Sequence, residues 1–283
     1  MRKLVLSASI LAVSAVAASA ADLAPQTYYT KAPPPAPVAA YNWTGFYIGG
    51  SLGGDWIQND NATLSLPAGP PQAFQPFLAN GSIPTNYGTN GSGLIYGGQA
   101  GYNWQMSNFV VGLEADFSGT TENNTQTVIT DVPAAGVSLG LAYSTKIDAL
   151  GTVRGRIGVL ATPSLLLYAT GGFAYGEVSH SYSESFGAPG TTPTINQSFG
   201  SVSNWDTGWT VGAGAEYALD QNWSIKGEYL FVNLSGDTFT TTATSGCGIP
   251  GACAFTLSPS HLGLNIARLG VNYKFGGPVV AKY

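Results

Sequence analysis

Charged side chains recur two residues apart in this chain, as Glu114 and Asp116, Lys146 and Asp148, Arg154 and Arg156, Lys226 and Glu228. In an extended strand that spacing puts both members on one face. Asp55, Glu216, Arg268 and Lys274 complete a set of six acids and six bases, each lying opposite an apolar or aromatic face. Two chemistries suit such a set. The charges can pair within a closed interior, where a charge left unpaired costs roughly several kcal/mol. Alternatively, Arg154 and Arg156 can form a charged constriction that selects ions. Pairing of the two arginines with Glu114, Asp116 or Glu216 is the favoured expectation.

Other reactive residue types give less. His180 and His261 sit at the bases of polar stretches, near Ser179, Ser181 and Ser260, and neither completes a recognisable catalytic arrangement. The expectation is a chain without catalytic, cofactor-binding or metal-binding residues. Cys247 and Cys253 are separated by five residues in a Gly/Pro-containing stretch. They read as a local disulfide in an oxidising compartment, with reduced thiols or an intermolecular bridge as alternatives.

The elements that must carry these residues are strands. After Tyr41, segments with period-two patterning alternate with stretches rich in Gly, Ser, Thr and Asn. Eight such segments fall near 43–56, 93–106, 108–118, 143–160, 165–178, 207–219, 223–234 and 264–275. Short turns are expected near Ser107, at Ala161 to Ser164 and at Asp220 to Asn222. Long polar loops are expected at about 57–92, 119–142, 179–206 and 235–262. Short turns at one end and long loops at the other describe a transmembrane barrel, with turns in the periplasm and loops outside the cell. The rings agree with that orientation: Trp104, Phe109, Tyr217, Trp223 and Phe275 fall at the periplasmic end, and Phe117, Tyr175, Trp209 and Phe231 at the outer end. These would be the two interfacial belts.

The rest of the chain is consistent with export. Arg2 and Lys3 precede an apolar run from Leu4 to Val16 and the tripeptide Ala18-Ser19-Ala20. This is a signal peptide with cleavage expected after Ala20. The apolar run is shorter than the roughly 18 to 20 residues of a membrane helix. Loss of Arg2 and Lys3 takes the net charge from -5 to -7, which excludes nucleic acid as a natural partner. Charged residues are only 9% of the chain, against about 25% in soluble domains, a deficit that suggests that part of the outside faces something other than water. Residues 21–41 form a Pro/Ala-rich periplasmic linker, 42–275 the barrel and 276–283 a C-terminal tail.

Four motifs then matter together: Trp43-Thr44-Gly45-Phe46-Tyr47-Ile48-Gly49-Gly50, Val153-Arg154-Gly155-Arg156-Ile157-Gly158, Tyr168-Ala169-Thr170-Gly171-Gly172-Phe173-Ala174-Tyr175-Gly176 and Arg268-Leu269-Gly270-Val271-Asn272-Tyr273-Lys274-Phe275. With them the mature chain resembles the alphaproteobacterial outer-membrane surface-antigen family that includes RopB and the major small outer-membrane antigens of Brucella, often labelled porin-like or opacity-protein-like. The resemblance implies a Gram-negative outer-membrane location, a role in envelope stability and loops that diverge between members. Such barrels commonly end on an aromatic residue read by the assembly machinery. Here Phe275 and Tyr283 share the required parity.

The fold expected is all-β, an eight-stranded antiparallel transmembrane barrel with a packed polar interior. The function expected is structural and non-enzymatic, with a small-solute pore as the alternative. Outer-membrane lipid and lipopolysaccharide, the barrel-assembly machinery, and peptidoglycan or a host surface are the expected partners.

Overall fold

A computed structural model describes residues 41–66, 75–88, 90–132, 136–236, 238–240, 242–243 and 256–276. The elements in chain order are β1 (Gly45–Asn59), β2 (Asn61–Ser65), α1 (Gln75–Ala79), β3 (Asn86–Gly88), β4 (Ser92–Met106), β5 (Phe109–Thr120), β6 (Asn123–Val132) and β7 (Val137–Thr162), then β8 (Leu165–Gly187), β9 (Ile195–Ala218), β10 (Trp223–Leu234), β11 (Phe239–Thr240), β12 (Thr242–Ala243), β13 (Thr256–Pro259) and β14 (Leu262–Lys274).

Eight of these close a ring. β1, β4, β5, β7, β8, β9, β10 and β14 pair antiparallel in that order, each with its successor. β14 then returns to β1, with Tyr47 opposite Lys274 and Leu52 opposite Leu269. Closure leaves these strands without an edge, which is the condition for satisfying strand hydrogen bonds in lipid. Outward-facing residues are apolar and exposed, as with Ile48, Leu52, Leu113, Val153, Ile157 and Leu269.

The three periplasmic turns are tight. Ser107 adopts a positive φ of 56° in the two-residue link between β4 and β5, a conformation that L residues with a Cβ visit at some cost. In the link before β10, the Asp220 carboxylate accepts the backbone N–H groups of Asn222 and Trp223, both at 2.8 Å, which holds its pKa below the usual carboxylate range.

Structure overturns the expected loops. Long tracts of 119–142 and 179–206 are strand, because β7, β8 and β9 continue far beyond the ring and β6 adds to β7. The expected loops at 57–92 and 235–262 contribute β2, α1, β3, β11 and β13. Of these, the strands form a separate four-stranded sheet in the order β11-β13-β2-β3. This sheet packs on the extended strands around a second apolar core that includes Leu64, Ile83, Leu139, Leu141, Tyr143 and Leu257, all buried. The outer end of the molecule is therefore a folded cap.

The lumen is also less uniform than a polar interior. Its periplasmic mouth is closed by Tyr41 and Trp43, packed on Val110, Leu166, Tyr168 and Ala218. Trp43 is 1% exposed and donates its indole N–H to the Pro163 carbonyl at 3.2 Å. The last residue assigned to the linker, Tyr41, thus belongs to the barrel. Toward the outer end, Ile57, Ile95, Leu150, Leu230, Leu264 and Ile266 contribute to an apolar layer that fills the ring. Charges occupy the level between these layers.

Candidate functional site

The charge layer is built by strand parity. On β5 the inward residues include Glu114 and Asp116, on β7 Arg154 and Arg156, on β9 Glu216, on β10 Lys226 and Glu228, and on β14 Arg268. All eight are buried. The Arg154 guanidinium lies 2.6 Å from Glu114, 2.9 Å from Asp116 and 3.1 Å from Glu228. Arg268 bridges Asp116 at 3.1 Å and Glu228 at 2.8 Å. Lys226 Nζ donates to both Glu114 oxygens, at 2.8 and 2.9 Å. Arg156 reaches Glu216 at 2.9 Å and Glu114 at 3.6 Å. Four cations face four anions, so the layer is formally neutral.

Neutral groups complete the acceptors. The Tyr47 hydroxyl donates to Glu114 at 2.7 Å and Tyr168 to Glu228 at 3.0 Å. Thr152 donates to Asp116 and Ser224 to Glu216, each at 2.6 Å. Asn272 donates to Glu216 at 2.8 Å and accepts from Gln99 at 2.8 Å. The Arg156 guanidinium stacks over the rings of Tyr47 and Tyr168, 5.2 and 5.0 Å from their centroids, a favourable cation–π arrangement. Two glycines make room for those rings. A Cβ at Gly101 would fall 2.4 Å from the Tyr47 hydroxyl, and one at Gly214 2.6 Å from that of Tyr168.

The remaining four charges have other places. Lys274 is buried at the periplasmic mouth, with its ammonium 4.2 Å from the Tyr41 ring centroid and donating to the Asn42 carbonyl. Asp55 is 1% exposed but takes no part in the ion-pair layer, and neither carboxylate oxygen has a hydrogen-bond partner among the described residues. It meets Glu122 instead, each carboxylate lying 3.0 Å from the position of a Gly93 Cβ.

Lys146 and Asp148 correct the expectation outright. They point outward and pair with each other, their side chains 50% and 35% exposed. The cause is a β-bulge on β7. Ile147 pairs with Val178 and Ala149 with Glu177, so Asp148 is an extra residue that reverses parity. Below the bulge the even residues Thr152, Arg154 and Arg156 face the lumen. Above it the odd residues Tyr143, Thr145 and Ile147 do.

His180 is not at a loop base. It lies in the cap core, with its Nδ1 2.9 Å from the Tyr143 hydroxyl and 3.1 Å from that of Thr145. Burial raises the Tyr143 pKa above the ordinary phenol range, helped by the Asp60 carboxylate, which suits a packed role and not an acid–base one. Ser179 and Ser181 stand on the opposite, outward face, and His261 is exposed beyond β13. Two buried acids of the cap have no counterpart in the sequence reading. Glu184, fully buried with no hydrogen-bond partner for either oxygen among the described residues, is pushed up to about 8 by burial. Glu122 is pushed up to about 7 by burial first and by Asp55 second. Both sit on the cap side of the ring.

The rings are on the outside. Trp104, Phe109, Phe117, Trp209, Tyr217, Trp223 and Phe275 are exposed, and Tyr175 and Phe231 half-buried. Trp209 packs on Phe231 and Trp223 on Tyr273. Cys247, Cys253 and Ala20 lie outside the described residues.

An edge-free ring with an apolar outside and neutralised charges inside defines a transmembrane barrel of the outer-membrane type. The chain belongs to the outer membrane protein beta-barrel domain family, whose model matches residues 8–275. It is 33% identical to the 31 kDa outer-membrane immunogenic protein of Brucella melitensis, over 96% of this chain and all of that one. It is 30% identical to a 22 kDa outer membrane protein of Rhizobium leguminosarum bv. viciae, over 61% of this chain and 70% of that one. Among solved structures, the outer membrane protein OprG of Pseudomonas aeruginosa aligns with 83% of this chain and 99% of its own, at 11% identity and a TM-score of 0.43. The protein is located in the cell outer membrane.

Proposed function

We propose that this barrel is a structural surface protein, closed to solutes and without enzymatic activity, which anchors a folded cap at the cell surface. The observation that carries the reading is the interlocked charge layer. Arg154 contacts three acids and Glu114 three bases, so no single rotamer change opens a path between them. The apolar layer above and the Trp43 closure below lie in series with it. An eight-stranded barrel is only wide enough to be filled by its own side chains, and the small-solute pore would need a gap through all three levels.

Conductance across a planar bilayer tests this. The refolded full chain is expected to give no ohmic steps, and the same protein with Glu114→Ala and Arg154→Ala together is expected to remain silent because the flanking layers persist. Steady steps from the unmodified protein would favour the pore.

A further inference from the structure

Two acids stand apart from the neutral charge layer. Asp55 lies in the outer part of β1, opposite Gly93 on β4, and Glu122 lies in the link between β5 and β6. The Thr121 N–H donates to the Leu94 carbonyl at 2.9 Å, which lays that link alongside β4 and gives Gly93 an acid on either side. Because the glycine has no side chain, both carboxylates lean over it. Asp55 Oδ1 and Glu122 Oε2 are each 3.0 Å from the point that a Cβ on Gly93 would take. The Glu122 backbone is fixed as well: its N–H donates to Thr120 Oγ1 at 2.8 Å, and its carbonyl accepts from the Ile147 N–H at 3.3 Å.

Asp55 is 1% exposed and Glu122 0%, yet none of their four carboxylate oxygens has a hydrogen-bond partner among the described residues. The ion pairs among those residues include neither acid. Water in such a place would satisfy oxygens without neutralising two neighbouring charges, and buried charges are expected to be paired or to coordinate a metal. A third group points the same way. The Asn124 amide nitrogen, at the start of β6, is buried without a hydrogen-bond partner among the described residues, and it shares the space over Gly91 with Glu122 Oε1. Turning that amide about its own axis brings its oxygen to the carboxylates and leaves the backbone where it is.

We infer that Asp55, Glu122 and Asn124 form a binding site for one calcium ion, which clamps β1 of the ring to the root of β6 in the cap. Charge selects a divalent ion, since one such ion neutralises both carboxylates. The donors select a hard one, because with the amide turned they are all oxygen. Their irregular placement selects calcium, which accepts roughly 6–8 oxygens in a flexible geometry, whereas magnesium demands a near-ideal octahedron. Four carboxylate oxygens and one amide oxygen approach that number, and water completes it. The site uses no residue of the central ion-pair layer, so the inference does not depend on a closed lumen.

The test uses the refolded full chain in detergent micelles, stripped with a chelator and dialysed against radioactive calcium alone. One ion is expected to bind per chain. Asp55→Asn and Glu122→Gln, which keep the side-chain shapes and each remove one charge, are expected to weaken that binding about tenfold or more. Asp148→Asn, at an exposed acid, should leave it unchanged. Unaltered mobility of unboiled protein on gels establishes that each variant is folded. Calcium is also expected to slow hydrogen exchange at residues 121–124 of the unmodified protein and of neither Asp55→Asn nor Glu122→Gln, a local response that ions scattered over an acidic surface would not give. Three results would overturn the inference: no bound calcium at about 1 mM, undiminished binding by either of those two variants, or tighter binding of magnesium than of calcium.

Discussion

Arg154 is the residue on which the lumen turns, because it joins Glu114, Asp116 and Glu228. Arg154→Ala leaves those acids facing one another with less compensation and is expected to cost about 3–5 kcal/mol, the range for breaking a buried pair from one side. The midpoint of urea unfolding, followed by loss of the fast-migrating unboiled gel band, measures it. Lys146→Ala supplies the contrast: its partner Asp148 is solvent-exposed, so under about 1 kcal/mol is expected. A similar loss for both would mean that the interior pairs are no more important than the surface one. The sequence carried the distinction only partly. Alternation along regular strands is enough to place Arg154, Arg156 and Glu114 on one face. Before Ala149 the same count fails, because one extra residue at Asp148 reverses every earlier side chain of β7 and nothing in the residue types announces it. Asp55 illustrates a second limit: parity puts it inside, but its neighbour Glu122 comes from a connection whose path periodicity does not describe.

At the scale of elements, the barrel was legible and the cap was not. Barrel strands contrast apolar outer residues with polar inner ones, so their pattern stands out. In the upper part of β8 the serines 179, 181, 183 and 185 alternate with His180, Tyr182 and Glu184, giving period two with polar atoms on both faces. Hydropathy reads such a stretch as a loop, although the alternation is present. The inward members pack on residues from β2, β3 and β13, which are far away in sequence, and that packing makes the strand. Leu141, fully buried, is one of the residues holding this second core. Leu141→Ala is expected to cost the cap about 2–5 kcal/mol. Hydrogen exchange should report lower protection in β2, β3 and β13, with the ring strands and gel mobility unchanged. Loss of protection throughout the ring would show that cap and barrel unfold as one unit.

For the whole molecule, the ring and cap answer differently to solution conditions, because they handle charge differently. In the ring's central layer each buried carboxylate has a cation beside it. In the cap, Glu184 is buried near Tyr87 and Tyr182, Glu122 lies beside Asp55, and neither glutamate's carboxylate oxygens have a hydrogen-bond partner among the described residues. Their folded pKa values, about 8 and about 7, stand above the 4.5 of a free glutamate. The folded cap therefore holds protons that the unfolded cap releases. The stability they contribute is complete below about pH 4.5 and declines as pH rises through 7 and 8, by up to roughly 1.4 kcal/mol per pH unit for each group within its window. Protection factors corrected for intrinsic exchange should accordingly fall in residues 83–87 and 139–143 between pH 5 and pH 9. Glu184→Gln, which keeps the shape and removes the charge, should flatten most of that fall above pH 7. A decline of the same steepness in the Gln variant would mean that ionisation of Glu184 does not govern the cap, and that the cap's response to alkali originates in Glu122 and Asp55 at its junction with the ring.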